Sequence, residues 1–316
     1  MSRPWSAERT VWEALARELI EEQFPQLAPP RIDPFGIGWD NSVFLVNGEW
    51  VFRFPRRQFG VDCMEAELRV LPAIASRLPI AVSVSSLVGR PSSRFPWPFA
   101  AYRKIPGETA CRLSLDEIER HDLAEPLGRF LRALHAIPRE EAERAGAGHD
   151  RIGKLDLKQR LPAARRELDL IQDLGRFEDM AALRAVLVKT ADRFSGGCPR
   201  GRPVLLHGDL YARHLLVGDD ARLSGVIDWG DIHLGNAAVD LSIAHAFLPP
   251  AARARFRHAY GPIDDDTWQL ARFRALCHST VVVTYAYAIG DQDLLREGLR
   301  SLAHLATDAH GSKVDP

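Results

Sequence analysis

The sequence predicts an α+β protein built as two lobes: a small N-terminal β-sheet carrying one main helix, and a larger, mostly helical C-terminal lobe. Three observations lead there. Apolar residues form short runs on either side of Asn47-Gly48 within the first hundred residues, the pattern of a half-buried sheet. Beyond residue 110 they recur mostly at helical spacing. One strand-like island, "RPVLLHGD" with "HLLVGDDARLSGVIDWGD", breaks those helices. At 316 residues the chain is long enough for two such units. The boundaries fall at residues 1–104 for the N-terminal lobe, 105–109 for a hinge and 110–316 for the C-terminal lobe.

The chain opens on "MSRPWSAERTVWEALARELIEEQ", a charged amphipathic helix without the apolar stretch of a secretory signal. Val43, Phe44, Leu45 and Val46 then precede Asn47-Gly48, and Trp50, Val51 and Phe52 follow it. Asn and Gly both accept the positive φ of a type I′ turn, so this is a hairpin. "MEAELRVLPAIASRL" places Met64, Leu68, Leu71 and Ile74 on one helix face, and "PIAVSVSSLVG" and "WPFAAYRK" supply further short strands. "IPGET" is the hinge, punctuated by its proline and glycine. "LAEPLGRFLRALHAIP" and "LKQRLPAARRELDLIQDL" are amphipathic helices, with "ERAGAGHDRIG" an exposed loop between them. Within the island, Gly218-Asp219-Asp220 turns one strand into the next. The longest apolar run, near "STVVVTYAYAIG", is too short to span a bilayer and reads as a buried helix.

Composition narrows the function. Forty-one basic residues against 42 acidic give a net charge of −1, and no basic block forms a nucleic-acid footprint. Cys63, Cys111, Cys198 and Cys277 lie far apart with no C-x-x-C pair. That argues against a zinc ribbon or a disulfide framework and fits a reducing cytoplasm. Hydrophobic residues at 46% and charged residues at 26% are ordinary for a soluble enzyme. A cytoplasmic protein is expected, a monomer or weak homodimer without nucleic-acid or membrane partners.

Four elements carry chemistry. Gly36-Ile37-Gly38-Trp39-Asp40-Asn41-Ser42-Val43 opens straight into the hairpin. Its glycines let backbone N–H groups approach phosphate oxygens, and Asn41, with Ser42 beside it, can take the left-handed geometry of a third glycine. Taken alone, a plain turn before a strand looks the same. Arg53 lies on the returning strand, where its two-pronged donor set suits phosphate oxygens. Glu67 on the following helix is its natural ion-pair partner, with Glu65 the alternative. In His207-Gly208-Asp209, the Asp209 carboxylate can orient a hydroxyl and take its proton, while His207 holds the loop by hydrogen bonds. Asp228, opening Asp228-Trp229-Gly230 at a strand end, offers the carboxylate oxygen that a hard cation such as Mg2+ prefers. Singly each is modest, but their order along the chain is the one phosphoryl transfer demands. Two other readings stand beside it. One is a metal-dependent hydrolase built on His207, Asp209, His214 and Asp228, which gives the glycine hairpin no role. The other is a nucleotide-binding module without transfer activity, suggested by Arg53 and His214.

On these residues the chain resembles the aminoglycoside phosphotransferase family, relatives of choline kinases and protein kinases. "LLHGDLYARHLLV", "SGVIDWGDIHLGNAAVDLS" and "GWDNSVFLVNGEWVFRFPRR" look like its catalytic loop, metal-binding segment and nucleotide loop, and "YRKIPGE" and "LRALHAIP" like its hinge and following helix. The resemblance implies a bilobal protein-kinase-like fold, ATP or GTP as phosphate donor, Mg2+, and a small-molecule hydroxyl as acceptor. It implies Asp209 as catalytic base, Asp228 as principal metal ligand, and Asp240 as a buried acid bracing the catalytic loop. Gly36, Gly38, Asn41, Ser42, Arg53 and Glu67 would serve the nucleotide. His214 is expected beside Asp228 at the metal, standing where most of the family has asparagine as a second metal ligand, although imidazole is a poor ligand for Mg2+. The catalytic segment is nonetheless similar to the macrolide phosphotransferase branch, where histidine also occupies that place, and "VVVTYAYAIG" echoes a helix of that branch. The acceptor stays open. Asp264-Asp265-Asp266 near Trp268 suits a polycationic aminoglycoside or simply a helix N-terminus. Apolar helices with Phe247, Phe256 and Tyr285 suit a macrolide, and a metabolite of choline, sugar or amino-alcohol type fits equally.

Overall fold

Asn47 and Gly48 build the turn their sequence demands, with φ of 55° and 70°, and Val46 pairs with Trp50 across it. The computed structural model describes residues 7–198 and 201–311. The first part of the chain supplies six strands: β1 (Ile32–Ile37), β2 (Asn41–Val46), β3 (Trp50–Pro55), β4 (Ala81–Val82), β5 (Leu87–Gly89) and β6 (Phe99–Arg103). Five of them form an antiparallel sheet in the order β1-β2-β3-β6-β5. The central strand β3 is buried on both faces. Phe52 and Phe54 point into an aromatic core with Phe24, Phe44 and Phe99, beneath helix α1 (Glu13–Gln23). Arg53 points the other way, towards helix α2 (Gln58–Ile74).

Two helices differ from expectation. Residues 1–6, expected in the first helix, lie outside the described residues, and α1 begins at Glu13. Helix α2 starts at Gln58, ahead of Met64, and Leu68 is only half-buried. Its Ala66, Val70, Leu71 and Ile74 join the hydrophobic core of the larger lobe, so this helix has more than one apolar face to bury.

The larger lobe runs through β7 (Glu108–Thr109), α3 (Glu117–His135), α4 (Arg139–Arg144), β8 (Gly148–His149), α5 (Leu157–Asp173) and α6 (Met180–Arg193). Next come β9 (Val204–Leu206), β10 (Leu215–Val217), β11 (Leu223–Val226), β12 (His233–Gly235) and helices α7 (Ala238–Leu241), α8 (Ile243–Ala246), α9 (Arg253–Tyr260), α10 (Asp265–Ile289) and α11 (Gln292–Gly311). Local signals place the helix ends. Asp116 and Glu119 form a reciprocal capping box on α3, and Gly290, at φ 76°, ends α10. Two small sheets, β4-β11-β10-β7 and β8-β12-β9, carry the functional loops. Strand β4, from the segment assigned by sequence to the first lobe, runs parallel to β11 and pairs Ala81 and Val82 with Gly225 and Val226. The segment expected as a hinge packs on the same sheet: Ser224 donates to the Pro106 carbonyl at 2.7 Å, and β7 pairs with β10. Among the described residues no helix is long and apolar enough to cross a membrane.

Candidate active site

Strand β9 ends in His207-Gly208-Asp209, and Asp240 of α7 holds that loop. The fully buried Asp240 carboxylate accepts the backbone N–H groups of His207 and Gly208, both at 2.8 Å. It also lies 3.3 Å from His135 Nε2, whose Nδ1 is 2.8 Å from the Tyr260 hydroxyl. Burial works to raise the Asp240 pKa, and His135, His207 and the loop amide outweigh it, so the acid sits below its usual range. The His207 ring serves the loop itself. The Asp209 N–H donates to its Nδ1 at 3.2 Å, leaving Nε2 to donate to the Ile227 carbonyl at 2.9 Å. Burial depresses its pKa, which matches this neutral tautomer. Gly208 has φ 88°, and a Cβ there would collide with the Asp231 carbonyl oxygen.

Asp209 and Asp228 meet on one imidazole. His214 Nδ1 donates to the Asp209 backbone carbonyl at 2.7 Å and stands 3.8 Å from Asp209 Oδ2, while Nε2 stands 3.3 Å from Asp228 Oδ2. Asp228 takes φ 62°, a left-handed conformation that aspartate tolerates, and its side chain stays 49% exposed. Partial desolvation raises the Asp228 carboxyl, but His214 more than offsets it and brings the pKa down to about 2. Desolvation correspondingly depresses His214, and the Asp228 charge reverses that into a net rise. Asp209 turns its other oxygen to α10, where His278 Nε2 is 3.2 Å and Arg274 Nη2 is 4.0 Å from Oδ1. Burial opposes the Asp209 charge, yet His278, Lys154 and His214 hold its carboxyl well below the ordinary range. Both acids are ionised at neutral pH.

The glycine-bearing loop joins β1 to β2 above this pair. Gly36 lies in β1 opposite Val43, and a Cβ on it would meet nothing within 4 Å. The Gly38 N–H closes the turn onto the Asn41 carbonyl at 2.9 Å. Asn41 is not left-handed as the sequence suggests. It opens β2 opposite Pro55, and its Oδ1 is buried without a hydrogen-bond partner. The reason is a set of ties that already shape the turn: Arg57 Nε donates to Asp40 Oδ1 at 2.5 Å, the Arg56 N–H to the Asp40 carbonyl, and Arg56 Nη1 to the Gly38 carbonyl, both at 2.7 Å. Ser42 is buried opposite Ile37. From the loop tip the Trp39 ring reaches Tyr285 of α10, with centroids 5.1 Å apart. Below it, Arg53 grips Glu67 with both prongs, at 2.9 and 2.5 Å, both residues being buried. Glu65, the alternative partner, is exposed beside Arg69.

Residues that sequence reasoning missed complete the surroundings of Asp209: Lys154, Arg274 and His278. Lys154 is buried, with Nζ 3.3 Å from Asp231 Oδ2. Arg274 and His278 stand one turn apart on α10, a spacing of four that was visible within an otherwise apolar helix. The expected acceptor acids are engaged elsewhere. Asp264 caps α10 by accepting the Thr267 N–H at 2.8 Å, and Asp266 pairs with Arg193 at 2.7 Å. Phe247 and Phe256 lie in the core, and only Tyr285 of the three aromatics reaches the loop.

The site fits a nucleotide and a hard cation. Asp228 offers an ionised, half-exposed oxygen donor, and the space above Gly36 admits phosphate oxygens without displacing a side chain. Among the described residues no three His, Cys, Asp or Glu side chains gather to hold a metal by themselves. Mg2+ commonly takes one or two carboxylates and completes its shell with substrate phosphates and water, which suits such a sparse site. The hydrolase reading fares worse, since both ring nitrogens of His207 are committed to the backbone.

Fold and site together define a bilobal, kinase-like phosphoryl-transfer architecture. The chain belongs to the phosphotransferase enzyme family, whose family model matches residues 31–275. Among solved structures it is similar to aminoglycoside 2'-phosphotransferase-IIIa in its GDP complex, at 25% identity and TM-score 0.69, over 94% of this chain and 99% of that one. Macrolide 2'-phosphotransferase MphH from Brachybacterium faecium is similar at 26% identity and TM-score 0.55, over 86% of this chain and 91% of that one. Macrolide 2'-phosphotransferase type I shares the fold at 21% identity and TM-score 0.60, over 93% and 98% of the two chains. None of the curated proteins matches the chain. These likenesses support small-molecule phosphotransfer.

Proposed function

We propose that the chain transfers the γ-phosphate of a nucleoside triphosphate, ATP or GTP, to a hydroxyl of a small molecule. The observation that carries this reading is the meeting of two ionised acids from separate segments, Asp209 and Asp228, on opposite nitrogens of His214. Asp209 takes the hydroxyl proton as the acceptor oxygen bonds to the γ-phosphorus. The bond from that phosphorus to its bridging oxygen breaks, and the nucleoside diphosphate leaves. Arg53, held by Glu67, and the backbone around Gly36, Gly38, Asn41 and Ser42 address the phosphates. Asp228 would hold the cation, with His214 steadying its carboxylate through Nε2. Mg2+ held there would supply positive charge to offset that of the phosphate oxygens. His207 and Asp240 position the loop and take no part in bond changes.

The acceptors named for similar proteins are antibiotics: kanamycin accompanies GDP in one neighbour, and two others are macrolide 2'-phosphotransferases. An antibiotic acceptor is one reading for this chain. A hydroxylated metabolite in the cytoplasm is the other, and the basic residues that α10 turns towards Asp209 favour it.

The test is a coupled nucleotide-consumption assay with ATP and with GTP, against macrolides, aminoglycosides and sugar, sugar-acid and amino-alcohol metabolites. Asp209→Asn should lower turnover by at least about 10²-fold, the scale of a lost general base, while still binding Mg2+-nucleotide. Asp228→Asn should lose the Mg2+-dependent part of nucleotide binding in calorimetry. Near-normal turnover in the first variant, or unchanged metal dependence in the second, refutes the assignment.

A further inference from the structure

Among the described residues five arginines are buried: Arg53, Arg120, Arg253, Arg272 and Arg274. Four donate hydrogen bonds to carboxylates or backbone carbonyls. Arg53 grips Glu67 and Arg120 grips Glu297 with both prongs. Arg253 donates to the Ala244 and His245 carbonyls, and Arg272 to that of Leu305. Arg274 differs. Its side chain is 10% exposed and the carboxylate it faces is Asp209, beyond hydrogen-bond reach at 4.0 Å; a buried Nε without a partner it shares with Arg53, whose other two nitrogens are held by Glu67. A guanidinium has five donors and no way to shed its charge, so burial with those donors unmatched is costly. Acceptor oxygens arriving on a ligand would offset that cost.

The position of Arg274 says which ligand. Asp209 turns Oδ2 towards His214 and hence towards Asp228, the nucleotide side. Oδ1 faces α10, where His278 holds it and Arg274 stands one turn away. Arg274 therefore lies on the acceptor side of the base. Lys154, the other buried cation near Asp209, already pairs with Asp231, and Tyr211 packs its ring on His278 at 4.7 Å. Of the acids at the start of α10, Asp264 is committed to its cap and Asp266 to Arg193. A polycation entering here meets the like charge of Arg274 in a poorly solvated place. A carboxylate or phosphate meets a planar fork of matching geometry.

We propose that Arg274 is an oxyanion-binding residue of the acceptor site. The acceptor is then a hydroxyl compound that also bears a carboxylate or phosphate group, and polycations are poor substrates. His278 is a positioning residue that fixes Asp209 Oδ1 and leaves Oδ2 to the reacting hydroxyl. This deepens the phosphotransferase reading and rests on it.

The test titrates wild type and Arg274→Gln, each loaded with Mg2+ and ADP or GDP, by calorimetry with gluconate, glucose 6-phosphate, neutral glucose and kanamycin. Wild type should bind at least one anion more tightly than glucose or kanamycin. Arg274→Gln should weaken that binding by about tenfold or more, the scale of a lost charge-assisted hydrogen bond, with Mg2+-nucleotide affinity unchanged. Preference for gluconate identifies a carboxylate acceptor, and preference for glucose 6-phosphate a phosphate ester. Arg274→Lys, which keeps the charge and loses the fork, should fall between the two proteins, and it carries the test alone if the glutamine variant does not fold. Equal anion affinity in wild type and variants, failure of wild type to bind either anion, or tighter binding of kanamycin overturns the proposal. Failure of wild type to bind Mg2+-nucleotide would instead overturn the function on which it rests.

Discussion

Replacing Glu67 by Ala should cost far more stability than removing its whole ion pair. Arg53 and Glu67 are 5% and 1% exposed, joined by bonds of 2.9 and 2.5 Å, with only Ser85 Oγ at 3.4 Å as a further polar contact of Arg53. Glu67→Ala leaves a buried guanidinium without its anion, a loss of about 3–5 kcal/mol. For a chain of this length that lowers Tm by roughly 5–8 °C. The intact pair adds little net stability, because taking both ions out of water costs about as much as their attraction returns. Replacing both residues by Met should therefore stay within about 1.5 kcal/mol of wild type. Both variants should lose Mg2+-nucleotide affinity, because the role proposed for the pair is to present a fixed cation to phosphate. Urea unfolding gives the stabilities and calorimetry the affinities. A double variant as unstable as Glu67→Ala, or one that binds nucleotide like wild type, refutes the reasoning.

Gly208→Ala combines a strained φ of 88° with a collision against the Asp231 carbonyl, so it should destabilise by at least about 3 kcal/mol and misplace Asp209; an unchanged urea midpoint would contradict this. His304, buried near Arg120 and Arg253, has its pKa lowered from 6.5 to about 4, chiefly by desolvation. The unfolded chain therefore binds this proton first, and stability falls as pH drops from about 6.5 towards 4, by about 3 kcal/mol in full. His304→Gln should flatten that acid limb when urea midpoints are followed against pH, and an identical limb would exclude His304 as its source.

The parts of the site that could be read in the sequence are those written within one short segment. The Asn47-Gly48 turn needs only its own two residues to accept positive φ, and it forms as read. His207, Gly208 and Asp209 share a loop whose hydrogen bonds mostly run within the loop or to the next motif, so their proximity to Asp228 followed from chain order. Arg53 and Glu67 lie on consecutive elements, and the nearer-looking Glu65 failed only because it falls on the exposed side of α2. Asn41 was misread for the opposite reason. Its conformation is decided by Arg56 and Arg57, which reach back from beyond β3 to hold Gly38 and Asp40.

Helix α10 shows where such reading stops. Most of its 25 residues are core-facing, and their apolar character describes it correctly as a buried helix. The site uses one narrow face, Arg274, His278 and Tyr285, which repeats at helical spacing and spans from beneath Asp209 to the tip of the glycine loop. Nothing local distinguishes those three from ordinary capped or snorkelling polar residues, because their partners lie in β9 and in the β1–β2 turn, far away in the chain. What does mark them is physical cost. Lys and Arg on a surface helix are well solvated, but the Arg274 side chain is only 10% exposed, and a largely buried cation four residues from the half-buried His278 calls for an anion that the fold or a ligand must provide. The fold provides Asp209, too distant to satisfy it. On the proposed reading the rest falls to the molecule that Asp209 acts upon, which places the chemistry of the acceptor on α10 more than on the motifs that identify the family.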